Sequence, residues 1–261
     1  MTPQAHTCPV SGYRLVPFGP SVGYHVGKAK YRQPSAAVRT ADVHRQDWGR
    51  FDILGETFYV AESVETAYAE VLAAFKLPNG ANDPLQEIAD MYGVPRATAI
   101  EWITEDWALI EENFQALGGI PASWREARRV FEVTMNDNGW LVDIHHPATI
   151  SALEGPADGP VARFLASQGI PALTLSALTG DNRMITTILA DVIRTTELHD
   201  ESAPRGVQFP SKHGGGWCRA IWRAEDAPTL FLGVIISAEQ QIYADDVDLA
   251  VVGDRFHITI T

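Results

Sequence analysis

The apolar positions change their spacing between residues 57 and 75. Thr57 to Val60 ("TFYV") are β-branched or aromatic and predict a short strand. Val64, Ala67, Tyr68, Val71, Leu72 and Phe75 then recur at helical spacing. They predict an amphipathic helix with Ser63 as N-cap and Glu65 in the first turn, where the helix dipole favours a carboxylate. "LPNGAND" at 77–83 ends that helix, and residues 84 to about 117 read as helical and acidic. "RRVFEVTMNDNGWLVDI" holds two strand patterns around an Asp-Asn-Gly turn signal and predicts a hairpin. Helices are expected over 147–154 and 161–168, and a stronger one over 181–197. In the last, Asp181 is the candidate cap, and Met184, Ile185, Ile188, Leu189 and Val192 share a face. From "GVQFP" onward the pattern is mostly short strands separated by Gly, Asp and Pro, while residues 1–50 carry strand-like pieces such as "GYHVG". This order predicts an α+β fold without the regular alternation of a doubly wound sheet.

No composition break divides the 261 residues, so one domain is expected over 1–261, with a helical insertion at 80–125. A hydrophobic content of 46% suffices for a sizeable core. With 20 basic against 33 acidic residues, the net charge of −13 repels nucleic-acid backbones and anionic membranes. Cys8 and Cys218 lie far apart without metal-ligand spacing, as fits a reducing compartment. The N-terminus lacks the basic start and apolar core of a signal peptide, and "TLFLGVII" is too short to cross a bilayer. A cytoplasmic protein with no membrane partner is therefore expected. The histidines show no ligand spacing, and the adjacent His145 and His146 would point to opposite faces of a strand, so no metal is expected.

Three motifs do not hold up. "GPSVG" at 19–23 matches a nucleophile elbow in letters, but Pro20 precedes Ser21 and strand-like residues follow where a helix is required. "HGGG" at 213–216 resembles a lipase oxyanion motif, yet it follows the candidate serine instead of preceding it. "LQEIADMYGVPRATAIEWI" at 85–103 fits a helix-turn-helix pattern through Ala89, Gly93, Ala99 and Trp102. Between 80 and 115, however, eight acidic residues stand against Arg96 alone. A recognition helix gains its affinity by neutralising phosphates, so a packed helical insertion is the better reading and a DNA-binding regulator the weaker one.

Arg50, Tyr59 and Glu70 fall close together around the predicted strand and helix. Glu70 lies at the edge of the apolar face beside Ala67 and Ala74. A carboxylate there is ordinarily just solvated, although small neighbours leave room for a ligand. Tyr59 alternates with Phe58, so one of the two faces away from the core. In "GVQFPSKHGGGW", Ser211 follows a strand and precedes a basic pair and three glycines. Such a loop can approach a ligand and offer N–H groups to phosphate.

Together these segments resemble the RES domain, the toxin half of RES–Xre toxin–antitoxin pairs. "GRFDILGETFYVAESVETAYAEVLA" is similar to the family's arginine segment and its strand and helix, and "WLVDIHHPATISAL" resembles a second segment. "DNRMITTILADVI" is similar to the helix preceding the family's serine, and "GVQFPSKHGGGWCRAIW" to the serine strand and loop. The resemblance covers most of residues 20–235, in order. It implies an ADP-ribosyltransferase-like fold and NAD+ as substrate, cleaved by hydrolysis, phosphorolysis or ADP-ribosyl transfer, with an Xre-type antitoxin as partner. It also implies roles: Glu70 holds the ribose and stabilises its developing positive charge, and Arg50 orients the glutamate or binds the pyrophosphate. Tyr59 stacks on nicotinamide, and Ser211 hydrogen-bonds the nicotinamide end. The family's early arginine is missing: His25 in "GYHVG" takes that position, with Arg32 the nearest substitute, and His213 joins the candidate NAD+-binding residues. A catalytically weak RES-like binding protein is the alternative.

Overall fold

The computed structural model describes residues 4–31, 36–77, 83–108, 118–155, 159–224 and 233–261. Strands β1 (His6–Thr7), β2 (Arg14–Pro17), β3 (Ser21–Lys28) and β4 (Ala37–Arg39) come first, then a 3-10 turn at Arg45–Asp47. Next are β5 (Gly55–Ala61) and α1 (Val64–Leu72), followed by α2 (Pro84–Tyr92), α3 (Arg96–Ala108), β6 (Gly119–Ile120) and α4 (Ala122–Glu126). The chain continues through β7 (Arg128–Met135), β8 (Trp140–Asp143), α5 (Pro147–Glu154), α6 (Pro160–Ser167), α7 (Leu175–Thr179) and α8 (Arg183–Arg194). Last come β9 (Gly206–Pro210), β10 (Trp217–Ala224), β11 (Val234–Gln241), α9 (Val247–Phe256) and β12 (Thr259–Ile260). The fold is α+β.

One sheet runs in the order β1-β2-β8-β9-β10-β5-β3-β7-β11, with β4 also on β5. Its β8–β9 pair is parallel, and its other ladders are antiparallel. Side chains alternate across it as the pleat requires. Ala61, Cys218, Ala220 and Trp222 face the larger core, where Tyr68 and Leu72 of α1 and Ile185, Leu189 and Ile193 of α8 are buried. Phe58, Val60 and Ile221 face a smaller core with Phe18, Phe131 and Met135. Tyr59 and Phe58 thus lie on opposite faces.

The strand at 57–60 and the helix after it form where the period predicts, with Ser63 Oγ accepting from the Thr66 amide at 3.1 Å. The expected 128–143 hairpin does not form. Both strands exist, but β7 pairs with β3 and β11 while β8 pairs with β2 and β9. Four residues separate them, too many for the two-residue turn that Asn-Gly favours. Arg205 holds the Asp137 carboxylate at 2.8 Å, and the Asn136 amide donates to the Gly233 carbonyl at 2.8 Å, so the connection crosses between sheet segments. The cap of α8 is Asn182, whose side chain accepts from the Met184 amide, not Asp181. Helix α9 occupies a stretch expected to be strand. Its Asp246 cap and buried Leu249, Val252 and Phe256 decide the conformation over the β-branched residues.

The expected insertion contains α2 and α3, with residues 80–82 and 109–117 outside the described residues. Gly93 ends α2 in the left-handed region at φ +65°, where a Cβ is disfavoured. Ala89 and Ala99 are buried, as the pattern suggests, but Trp102 is 43% exposed, its ring edge-on to Tyr92 at 6.0 Å. Arg96 pairs with the Asp83 cap at 2.6 Å and closes the helical pair on itself. Ser21 lies inside β3, accepts from Arg219 Nη1 at 2.7 Å and donates to the Phe18 carbonyl, so it sits on no elbow. Among the described residues no helix is long and apolar enough to cross a membrane, and no group of metal-ligating residues assembles.

Candidate active site

Glu70 projects from the last turn of α1 into a cleft of about 340 Å³, lined also by Tyr24, Arg50, Tyr59, Ala67, Arg183, Phe209 and Cys218. The cleft opens where the sheet parts. Among the described residues β3 and β5 share one rung, Tyr24 against Ala61, and then diverge.

Ser211 reaches Glu70 across 141 residues, its Oγ donating to Oε1 at 2.6 Å. The same Oγ accepts from the amides of His213 at 3.1 Å and Gly214 at 2.8 Å. A hydroxyl has one proton and two lone pairs, so Ser211 is saturated. It fixes the carboxylate and keeps no donor for a ligand. The RES resemblance implies the nicotinamide end for Ser211; here its hydroxyl is bonded to Glu70 and to two amides of its own loop.

The glycines explain this approach. A Cβ on Gly214 would stand 2.8 Å from the Ala69 Cβ and 3.0 Å from the Thr66 Cα, so only glycine lets the loop lie on α1. Thr66 Oγ1 donates to the Gly215 carbonyl at 3.0 Å, and the Ser211 amide donates to the Gly216 carbonyl at 3.0 Å. Such a loop can offer N–H groups to phosphate, but the amides of His213 and Gly214 are committed to Ser211. Gly214 serves helix contact, and Gly215 and Gly216 supply the positive φ of the turn, +72° and +68°.

Arg50 sits on a turn organised by Asp52, which is 1% exposed. Asp52 accepts from the Gly49 amide at 2.7 Å, from the Tyr59 hydroxyl at 2.7 Å and from Arg39 Nε at 2.6 Å. Tyr59 is thereby anchored by its hydroxyl, and burial beside Asp52 pushes that hydroxyl's pKa well up. Its residue still lines the cleft, as does Phe209, whose ring centroid lies 5.5 Å from the Arg50 guanidinium carbon. Among the described residues, Arg50 Nε and Nη1 are buried with no hydrogen-bond partner. Burial lowers its pKa, while the charge of Glu70 supports the cation. Buried guanidinium N–H groups without acceptors are costly, and an oxygen acceptor placed beside them would relieve that cost.

His25 does not supply the missing charge. It lines the cleft with Tyr59 and Glu70, but its ring packs with Phe58 at 4.8 Å and Phe131 at 6.3 Å. Its Nδ1–H donates to the Tyr59 carbonyl at 2.9 Å, spanning the gap between the strands. Burial holds its pKa down at about 4, so it is neutral at pH 7. Arg32 lies outside the described residues. The His213 ring stands edge-on to Phe256 of α9 at 6.5 Å, away from the cleft lining, and burial lowers its pKa. Burial pushes the Cys218 thiol up to about 12, so it lines the wall as a neutral group and not as a nucleophile.

The sequence reading missed Asp52, Tyr24, Phe209 and Arg183. Asp52 had one local signal, a carboxylate two positions after Arg50. The others are brought in by strand pairing and by the docking of α8.

No family model matches this chain, and no curated protein matches it. Among solved structures, the crystal structure of the M. tuberculosis MbcT-MbcA toxin-antitoxin complex aligns over 90% of this chain and 87% of that chain. The identity is 13% and the TM-score 0.45. A likeness this slight fixes neither fold nor function.

Proposed function

We propose that this protein cleaves the nicotinamide–ribose bond of NAD+, with Glu70 stabilising the positive charge that develops on the ribose. The observation that carries the reading is the Ser211–Glu70 bond of 2.6 Å at the wall of an aromatic-lined cleft that also holds Arg50. As the C1′–N bond breaks, its electron pair stays on the nicotinamide nitrogen and cancels that nitrogen's charge. The leaving group therefore needs no proton, and one carboxylate suffices where glycosidases use two. The ribosyl carbon becomes oxocarbenium-like, and a fixed carboxylate in a partly apolar cleft favours that state. An incoming oxygen then bonds to C1′. Water gives ADP-ribose and a released proton, inorganic phosphate gives the phosphorolysis product, and a protein side chain gives ADP-ribosyl transfer.

In this reading Arg50 binds the pyrophosphate, Tyr59 lies against the nicotinamide ring, and Ser211 holds Glu70 in place. The RES resemblance adds the ADP-ribosyltransferase-like fold, the role of a toxin that removes NAD+, and an Xre-type antitoxin that restrains it. One observation favours the alternative of a weak enzyme acting as a binding protein: His25 is buried and neutral where the family carries an arginine. Nicotinamide release from NAD+ by the purified protein separates the two. Steady release abolished by Glu70→Gln supports the enzyme, and NAD+ binding without release supports the binding protein.

A further inference from the structure

Three cations, Arg50, Arg183 and Lys212, act on one carboxylate, that of Asp181. Arg183 is the first residue of α8 and lines the cleft with Arg50. The two segments are clamped together by Gln46, whose Nε2 donates to the Asp181 carbonyl at 2.8 Å and whose Oε1 accepts from the Arg183 amide at 3.2 Å. Arg45, on the same turn, pairs with Asp191 of α8. Asp181 is 85% exposed, yet its carboxylate accepts from Lys212 Nζ at 2.8 Å and lies 3.7 Å from Arg183 Nη2. Lys212 chiefly, with Arg183 and Arg50, holds that carboxyl below the usual range. An exposed aspartate drawn in this way occupies the spot where the field of the three cations favours an anion.

We propose that Arg183 is the second phosphate-binding group of this site: Arg183 and Arg50 together hold the diphosphate of a dinucleotide, with Lys212 at the rim and Asp181 as the internal counter-ion that the diphosphate displaces. This rests on the NAD+ reading for the identity of the dinucleotide, though the anion subsite itself does not. The other candidates for the charge are already spent. His25 is neutral, and the His213 and Gly214 amides bond Ser211. Among the described residues, two Arg50 nitrogens remain buried without acceptors, and a diphosphate offers oxygens in the geometry that a guanidinium fork matches.

The test is calorimetric titration of ADP-ribose, and of adenosine as the phosphate-free control, into wild type, Arg183→Gln, Arg183→Lys and Asp181→Asn. Wild type is expected to prefer ADP-ribose. Arg183→Gln should weaken ADP-ribose about tenfold or more and leave adenosine unchanged, since charge-assisted hydrogen bonds are lost. Arg183→Lys should recover part of the loss. Asp181→Asn, an exposed change with little risk to folding, should tighten ADP-ribose by removing its competitor. Unaltered ADP-ribose affinity in Arg183→Gln, equal loss of both ligands, or no tightening in Asp181→Asn would overturn the proposal. Arg183-dependent ADP-ribose binding in a protein that releases no nicotinamide from NAD+ would uphold the subsite and refute the proposed reaction. Nicotinamide release with an unchanged KM for NAD+ in Arg183→Gln would do the reverse.

Discussion

The Ser211 hydroxyl donates its proton to Glu70 Oε1 at 2.6 Å while two backbone amides of its own loop occupy its lone pairs. The Gly-rich loop and α1 thereby become one unit, and the orientation of the carboxylate depends on a residue 141 positions away.

Ser211→Ala removes the hydroxyl that bonds Glu70. Glu70 loses its tether, and the amides of His213 and Gly214 lose their acceptor. Stability should fall by about 1–2 kcal/mol. Nicotinamide release should fall about tenfold, mostly in kcat, as Glu70 leaves its productive position. Urea unfolding and steady-state kinetics read the two effects. An unchanged kcat would mean that Ser211 holds only its own loop.

Gly214→Ala places a methyl group 2.8 Å from the Ala69 Cβ and must push the loop off α1. Overpacking of this kind costs about 1–3 kcal/mol. The displacement carries Ser211 with it, so activity should fall together with stability. Activity preserved in a destabilised variant would uncouple the loop from Glu70.

His25 gives a pH dependence. Burial holds it at about 4, below its ordinary value of 6.5. Between those values the unfolded chain binds more protons, so the contribution of this group is complete above about pH 6.5 and is lost as pH falls toward 4. The loss is on the order of 3 kcal/mol. His25→Gln keeps a donor for the Tyr59 carbonyl and does not titrate, so its stability should fall less steeply from pH 7 to pH 5. Urea midpoints at several pH values check this, and parallel curves would contradict it.

The parts of the site legible in the sequence are those fixed by local period. The strand at 57–60, the Ser63 cap and the position of Glu70 on the helix edge all follow from spacing within a few residues. The meeting of Glu70 with Ser211 does not, because it depends on β10 pairing with β5 and on glycines packing against α1. A resemblance put the two side by side before the geometry did. Local signals misled where long-range partners were stronger: the Asp-Asn-Gly turn was overruled by Arg205 and Gly233, and the β-branched run of α9 by its Asp246 cap and buried face. In the sequence Arg183 is simply part of a helix, since it comes beside the Arg50 turn through long-range contacts, the Gln46 clamp and the Arg45–Asp191 pair.

The central claim is that the charge of Glu70, and not its shape or packing, drives the reaction. Glutamine is nearly isosteric and its Oε1 can still accept the Ser211 proton, so the loop and the fold should stay in place. What is lost is the negative charge facing the oxocarbenium-like ribose, worth a few kcal/mol, or a fall of about a hundredfold or more in turnover. The measurement is nicotinamide release from NAD+ by wild type and Glu70→Gln, alongside the melting temperature of each. The account predicts a folded variant with an unchanged melting temperature and turnover reduced about a hundredfold or more. Full turnover in a folded Glu70→Gln protein would contradict it and make Glu70 a structural partner of Ser211 alone.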